Sequence, residues 1–246
     1  MKQVGILFGG RSPEHEISIR STEAILANLD RESYTPHLFP VDRNGTLFRG
    51  DGGVRFLKEG VKDDIVPATY DQLREMDVVF PVFHGPYGED GTVQGLLAFL
   101  GVPFVGCGVE SSALNMHKGL FRDVMKSHAI PQPDYLYFGR TGQAGMMDQI
   151  QKCFPLPVFV KPCRGGSSIG ISRVDDWDQL EEAIAEAFRF DDHVIIEEGT
   201  PITEELEVSV LGTPDAMTIS PPGKLIAGDV FYTYKDKYVD TRTRFE

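Results

Sequence analysis

The sequence predicts an α/β fold, α+β over the whole chain, whose N-terminal part is a doubly wound parallel sheet. Short unbroken apolar runs at residues 4–8 and 78–83 have the texture of strands covered on both faces. Helix-patterned stretches alternate with them. Glycines at Gly9-Gly10 and Gly85 close the runs, as turns from strand to helix require.

In chain order, residues 4–8 form the first strand, and the Gly9-Gly10-Arg11-Ser12-Pro13 segment breaks it. A helix follows: Ser12 suits its N-cap, Pro13 its first position, and Glu14 and Glu16 the positive end of its dipole. Ile17, Ala24, Ile25 and Leu29 continue at helical spacing. Residues 34–41 make a second strand, 78–83 a third, 91–100 a helix and 102–106 a further strand. The texture changes near Ser111. Residues 114–127 are helical, and Ile130-Pro131-Gln132-Pro133 is an extended linker. Residues 156–162, 170–174 and 193–198 are strands, with a helix over 177–188. Residues 205–211 and 216–220 open an antiparallel sheet, and 232–246 have the polar, unpatterned texture of a surface loop. The expected domains are 1–115, 116–203 and 204–246.

Thirty-seven acidic against 24 basic residues leave a net charge of −13. That balance argues against nucleic-acid and anionic-membrane partners, which select Lys and Arg. No stretch approaches the ~20 apolar residues that span a bilayer. The first apolar run is too short for a secretory signal. Cys107, Cys153 and Cys163 lack metal-ligand spacing, which suits a reduced intracellular protein, expected in the cytoplasm.

A phosphate site in so acidic a chain must be a local concentration of Lys and backbone N–H. Lys161-Pro-Cys-Arg-Gly-Gly-Ser-Ser-Ile-Gly170 offers one: a buried strand delivers Lys161, and Gly166, Ser167 and Ser168 give small residues and hydroxyl donors. Taken alone, it is equally well a hairpin turn with a surface lysine. Lys118 stands at the start of the second region. Glu197 and Glu198 end an apolar strand, where backbone groups and a carboxylate can meet a nucleoside, although acidic strand ends are common. Glu14 could hold an ammonium group or merely complement the helix dipole. His84 lies where open α/β sheets bind ligands, as a ligand contact or a capping side chain. His15 and His117 are taken as plain surface or helix residues. Gly9-Gly10-Arg11 does not supply the G-x-G-x-x-G of a dinucleotide oxidoreductase.

The order of these segments is distinctive. F-G-G-R-S-x-E-H-E-I-S, F-H-G-x-x-G-E-D-G-x-x-Q-G, M-x-K, F-V-K-P-x-x-x-G-S-S-I-G, I-I-E-E and F-Y-x-Y-x-x-K-Y follow one another from Val4 to Tyr238. Together they closely resemble the D-alanine–D-alanine ligase family of the ATP-grasp group. The resemblance implies an ATP-grasp central lobe and a truncated C-terminal sheet after the parallel domain. It also implies ligation of two D-alanines through an acyl phosphate, using ATP and Mg2+, for peptidoglycan precursor synthesis. Small-molecule substrates are the expected partners, and a homodimer is common in the family. Glu14 would hold the first D-alanine's ammonium, with His84 close by. Lys118 and Lys161 would contact the α- and β-phosphates. The loop at Gly166, Ser167 and Ser168 would cover them, with Ser167 bonding toward Glu14 and Tyr238. Glu197 and Glu198 would flank the adenine, Glu205 the ribose, and Lys237 the γ-phosphate. Tyr238 would sit on a mobile closing loop and favours D-alanine over D-lactate as acceptor.

The family's catalytic arginine, R-x-D and E-x-N segments follow the tyrosine loop. Only residues 239–246 follow Tyr238, and no Asn occurs after Asn115. The expectation is a truncated or incomplete ligase, impaired without its magnesium ligands; the alternative is a fragment that only binds nucleotide or D-alanine.

Overall fold

In the computed structural model, which describes residues 1–141, 145–201, 204–226 and 244–245, the chain divides into two units, Met1–His128 and Ala129–Glu246. The first contains β1 (Lys2–Gly9), α1 (His15–Asn28), β2 (Tyr34–Val41), β3 (Phe48–Arg49), α2 (Gly53–Glu59), β4 (Val66–Pro67), β5 (Val78–Pro81), α3 (Thr92–Leu100), α4 (Val109–Met116) and α5 (Lys118–Ser127). The main sheet is parallel with order β2-β1-β5, and β3 and β4 form a short antiparallel ribbon. Strand β1 is buried on both faces because its apolar residues serve both layers. Val4, Ile6 and Phe8 pack with Ile19 of α1 and half-buried Leu57 of α2. Leu7 packs with Val93 and Leu97 of α3 on the other face. This is the doubly wound arrangement the sequence predicts.

Three local expectations are corrected. Residues 102–106 do not form a strand: a single parallel bridge joins Phe104 to Val79. Pro103 has no N–H to give, and Gly101 and Gly106 turn away with φ of +70° and +112°. Helix α1 begins at His15, with Glu14 as its N-cap. Ser12 belongs to the preceding turn, where its carbonyl accepts the His15 N–H at 3.1 Å and its Oγ the Glu14 N–H at 3.1 Å. The helix expected over 114–127 is two, broken at His117, whose ψ is 94°. His117 is buried and caps α5, its Nδ1 accepting the Leu120 N–H at 3.2 Å.

The second unit contains β6 (Tyr135–Gly139), α6 (Met146–Cys153), β7 (Val158–Pro162), β8 (Ser172–Val174), α7 (Leu180–Ala187) and β9 (His193–Glu198), then β10 (Glu205–Glu207), β11 (Val210–Thr213), β12 (Ala216–Ile219), β13 (Gly223–Ile226) and β14 (Arg244–Phe245). An antiparallel sheet of order β6-β9-β7-β8 packs one face on the helices. Val158, Val160, Val194 and Ile196 meet Ile150, Leu180 and Ile184 there. Phe159, Lys161, Ile195 and Glu197, at the alternate positions, belong to the opposite face. The antiparallel pairs β11–β12 and β10–β13–β14 follow. Part of the stretch read as surface loop is therefore strand, since Arg244 and Phe245 pair with Ile226 and Leu225. The remainder of 232–246 lies outside the described residues.

Candidate functional site

In the first unit the carboxyl ends of β1 and β5 are joined through one hydroxyl. Ser18 Oγ accepts the Gly9 N–H at 2.8 Å and donates to the Val82 carbonyl at 2.7 Å. Gly9 must be glycine: its φ is +89°, and a Cβ there would lie 2.4 Å from the Val41 carbonyl oxygen. This fixes the start of α1 at the carboxyl edge of the sheet, where such sheets bind ligands. His15, expected as plain surface or helix, is 2% exposed, and its Nδ1 donates to the Gly10 carbonyl at 2.6 Å.

Glu14 and His84 come to the same edge. The Glu14 side chain is buried, 4% exposed, against Gly85. His84 Nε2 lies 2.9 Å from Ser21 Oγ on α1. Glu89, which sequence reasoning missed although it lies inside the G-E-D-G motif, interacts electrostatically with both. Its Oε2 accepts the Gly85 N–H at 2.6 Å. Desolvation chiefly, with the Glu14 charge, raises its pKa; the Gly85 N–H and His84 pull it down. Two carboxylates and an imidazole around one glycine suit an ammonium group. Lys118 is the first residue of α5.

In the second unit, Lys161 and Glu197 sit diagonally on neighbouring strands, since Phe159 faces Glu197 and Lys161 faces Ile195 in the β7–β9 register. Their Nζ and Oε2 are 2.5 Å apart, with side chains 21% and 6% exposed, and the ammonium also lies over the Phe159 ring at 5.6 Å. Consecutive strand residues alternate faces, so Glu198 projects opposite to Glu197. Glu205 opens β10, facing Leu225.

The loop after β7 is tethered at both ends. Asp191, also missed from sequence, accepts the Arg164 backbone N–H at 2.6 Å and its guanidinium at 3.1 Å. Gly170 packs on Phe190, where a Cβ would come within 2.5 Å of the ring. Between these anchors, past Gly166, Ser167 and Ser168 are both left-handed, with φ of +51° and +59°. Such costly backbone in non-glycine residues clusters at ligand-binding segments. Lys237 and Tyr238 lie outside the described residues.

Comparison with known proteins agrees with both units. Residues 3–107 match the family described as D-ala D-ala ligase N-terminus, and residues 124–246 the D-ala D-ala ligase C-terminus. Both parts of the chain are thus those of a ligase. A D-alanine--D-alanine ligase of Acetivibrio thermocellus is 36% identical, over 100% of this chain and 74% of its own length. Another, from Caldicellulosiruptor bescii, is 38% identical over 97% and 70%. Among solved structures, the VanG D-Ala:D-Ser ligase from Enterococcus faecalis superposes with a TM-score of 0.86 at 30% identity, covering 99% of this chain and 75% of that one. The D-alanine-D-alanine ligase from Coxiella burnetii gives 0.77 at 31%, covering 91% and 71%. The chain belongs to the D-alanine–D-alanine ligase family, a family of ATP-dependent ligases.

Proposed function

We propose that this chain serves ATP-dependent joining of two D-alanines, through an acyl phosphate, for peptidoglycan precursor synthesis in the cytoplasm, as a homodimer. The observation that carries the reading is the buried carboxylate of Glu14 beside His84 and Glu89 at the sheet's carboxyl edge. A buried carboxylate there suits a substrate ammonium, which replaces its lost hydration by a charge-assisted bond.

A carboxylate is a poor acyl donor until its oxygen leaves as phosphate, so catalysis rests on positioning and charge neutralisation. The second unit fits a nucleoside triphosphate: Lys161 is held in place by Glu197, and the tethered loop carries Gly166, Ser167 and Ser168. ATP, when bound, supplies the phosphoryl group. Lys161 and Lys118 then offset phosphate charge, the loop hydroxyls and N–H groups excluding water. Glu197 and Glu198 serve the adenine side, Glu205 the ribose, Lys237 the γ-phosphate and Tyr238 the two amino-acid substrates. Within the second unit, we divide a central lobe ending at 203 from a sheet starting at 204. Among the described residues no group of three or more His, Cys, Asp or Glu side chains is placed to hold a metal ion.

Calorimetry with D-alanine and ATP, beside phosphate release, tests the reading. D-alanine should bind saturably and L-alanine should not. Glu14→Gln should weaken D-alanine about tenfold to hundredfold, the loss of a charge-assisted hydrogen bond, while ATP affinity holds. Equal binding of both enantiomers, or unchanged D-alanine affinity in Glu14→Gln, refutes it.

A further inference from the structure

A cavity of about 280 Å³ opens at the carboxyl edge of the first unit's sheet, on the α3 side. Its floor is apolar, formed by Leu7, Val41, Phe83 and Val93. Glycines bring the walls close: a Cβ on Gly88 would lie 2.2 Å from Phe83 Cβ, and one on Gly10 would lie 3.0 Å from the Phe83 ring. Glu14, His84 and Glu89 do not line it, so it is not the ammonium pocket described above.

The electrostatics of the lining are unlike those of the chain. In a protein with 37 acidic residues, no carboxylate lines this cavity, and Arg11 is the single charged lining residue. Among the described residues Arg11 has no ion-pair partner; its guanidinium lies over the Tyr87 ring, 5.2 Å from the centroid. A guanidinium stacked on an aromatic face keeps its N–H fork available to a planar anion and is weakly hydrated. Asn44, Tyr70 and Thr92 add neutral polar groups. The volume falls just below the roughly 300–1,000 Å³ of drug-sized pockets, which leaves room for about one ring.

We infer that this cavity is a second ligand site, built for a small monocarboxylate with an aromatic or branched apolar body. The body occupies the Leu7–Phe83 floor and the carboxylate meets Arg11. A neutral ligand would gain nothing from Arg11, and a cationic one would be repelled. The site stands independently of the ligase reading, although the two share a wall. Ser12 lines the cavity and its Oγ accepts the Glu14 N–H, while Gly10 lines it and its carbonyl accepts from His15.

The test titrates 4-methylbenzoate into the uniformly nitrogen-15-labelled full chain, following amide resonances. Saturable shifts should concentrate at Gly9, Gly10, Gly45 and Gly88 and extend to Glu14. The neutral isostere 4-methylbenzamide and the exposed-site variant Arg11→Gln should each weaken binding about tenfold, the worth of one charge-assisted hydrogen bond. Leu96→Trp, which fills the cavity and leaves Arg11 in place, should abolish the shifts; unchanged spectra elsewhere report that each variant folds. Absence of saturable shifts at these glycines overturns the proposal. So does equal affinity for the benzoate, the benzamide and 4-methylbenzylammonium, or undiminished binding in both variants.

Discussion

A Cβ at Gly85 would stand 2.2 Å from Oε2 of Glu14 and 2.9 Å from Oγ of Ser12. The carboxylate therefore rests on a bare stretch of backbone, and the φ of +70° at Gly85 favours the same residue for a second reason. Gly85→Ala should lose about 1–2 kcal/mol of stability from the left-handed backbone alone. D-alanine affinity should fall further than that loss accounts for, because Glu14 must move. Urea unfolding and calorimetry measure the two effects; normal D-alanine binding in a destabilised variant would count against the contact.

Glu89 predicts a pH dependence. Although the residue as a whole is exposed, desolvation of its carboxylate, aided by Glu14, holds its pKa above the ordinary 4.5. A raised carboxylate pKa means the folded chain keeps this proton longer than the unfolded chain does. Stability from this group therefore falls as pH rises from the ordinary glutamate range through the raised value, and is level above it. Glu89→Gln keeps an acceptor for the Gly85 N–H and removes the titration. Its stability relative to the parent should rise across that window. Parallel pH profiles of the two proteins in denaturant titrations would exclude this account.

The Lys161–Glu197 pair predicts an asymmetry between single and double changes. Lys161→Met takes away the ammonium beside the buried Glu197 carboxylate and should cost stability, up to about 3–5 kcal/mol. Lys161→Met combined with Glu197→Met removes both charges and should recover most of that loss. A double variant as unstable as the single one, by urea unfolding, would show that charge burial is not the cause.

Ser18→Ala should destabilise the first unit by about 2–4 kcal/mol, since two buried backbone groups, the Gly9 N–H and the Val82 carbonyl, lose their partner at once. Ser18→Thr retains the hydroxyl and should be milder. Thermal unfolding of both variants decides, and equal losses would point to packing in place of hydrogen bonding.

The strand over 193–198 was legible residue for residue, because an unbroken apolar run ends abruptly in charge. Strand β6 was hidden: prolines precede it, and all five of its residues are only half-buried, as at a sheet edge. Helix α6 was hidden too, since its start depends on Gly145 turning left-handed, with φ of +76°. At the site, Glu14 and His84 could be placed from the strand ends that carry them. Glu89 could not, because its contact exists only once Gly85 folds the loop back on itself. Asp191 and the Lys161–Glu197 pairing likewise come from long-range register, which no local pattern records.

Strand β9 is hydrogen-bonded along both edges, to β6 and to β7, and Val194, Ile195 and Ile196 are fully buried. Its amides can exchange with solvent only through an opening of the whole sheet, so they should be the most protected of the second unit. Its partners come from well before it in the chain, across α6 and α7, and contacts between distant segments form slowly because a long loop must close first. The strand that carries Glu197 is therefore slow to pair and opens only with the whole sheet.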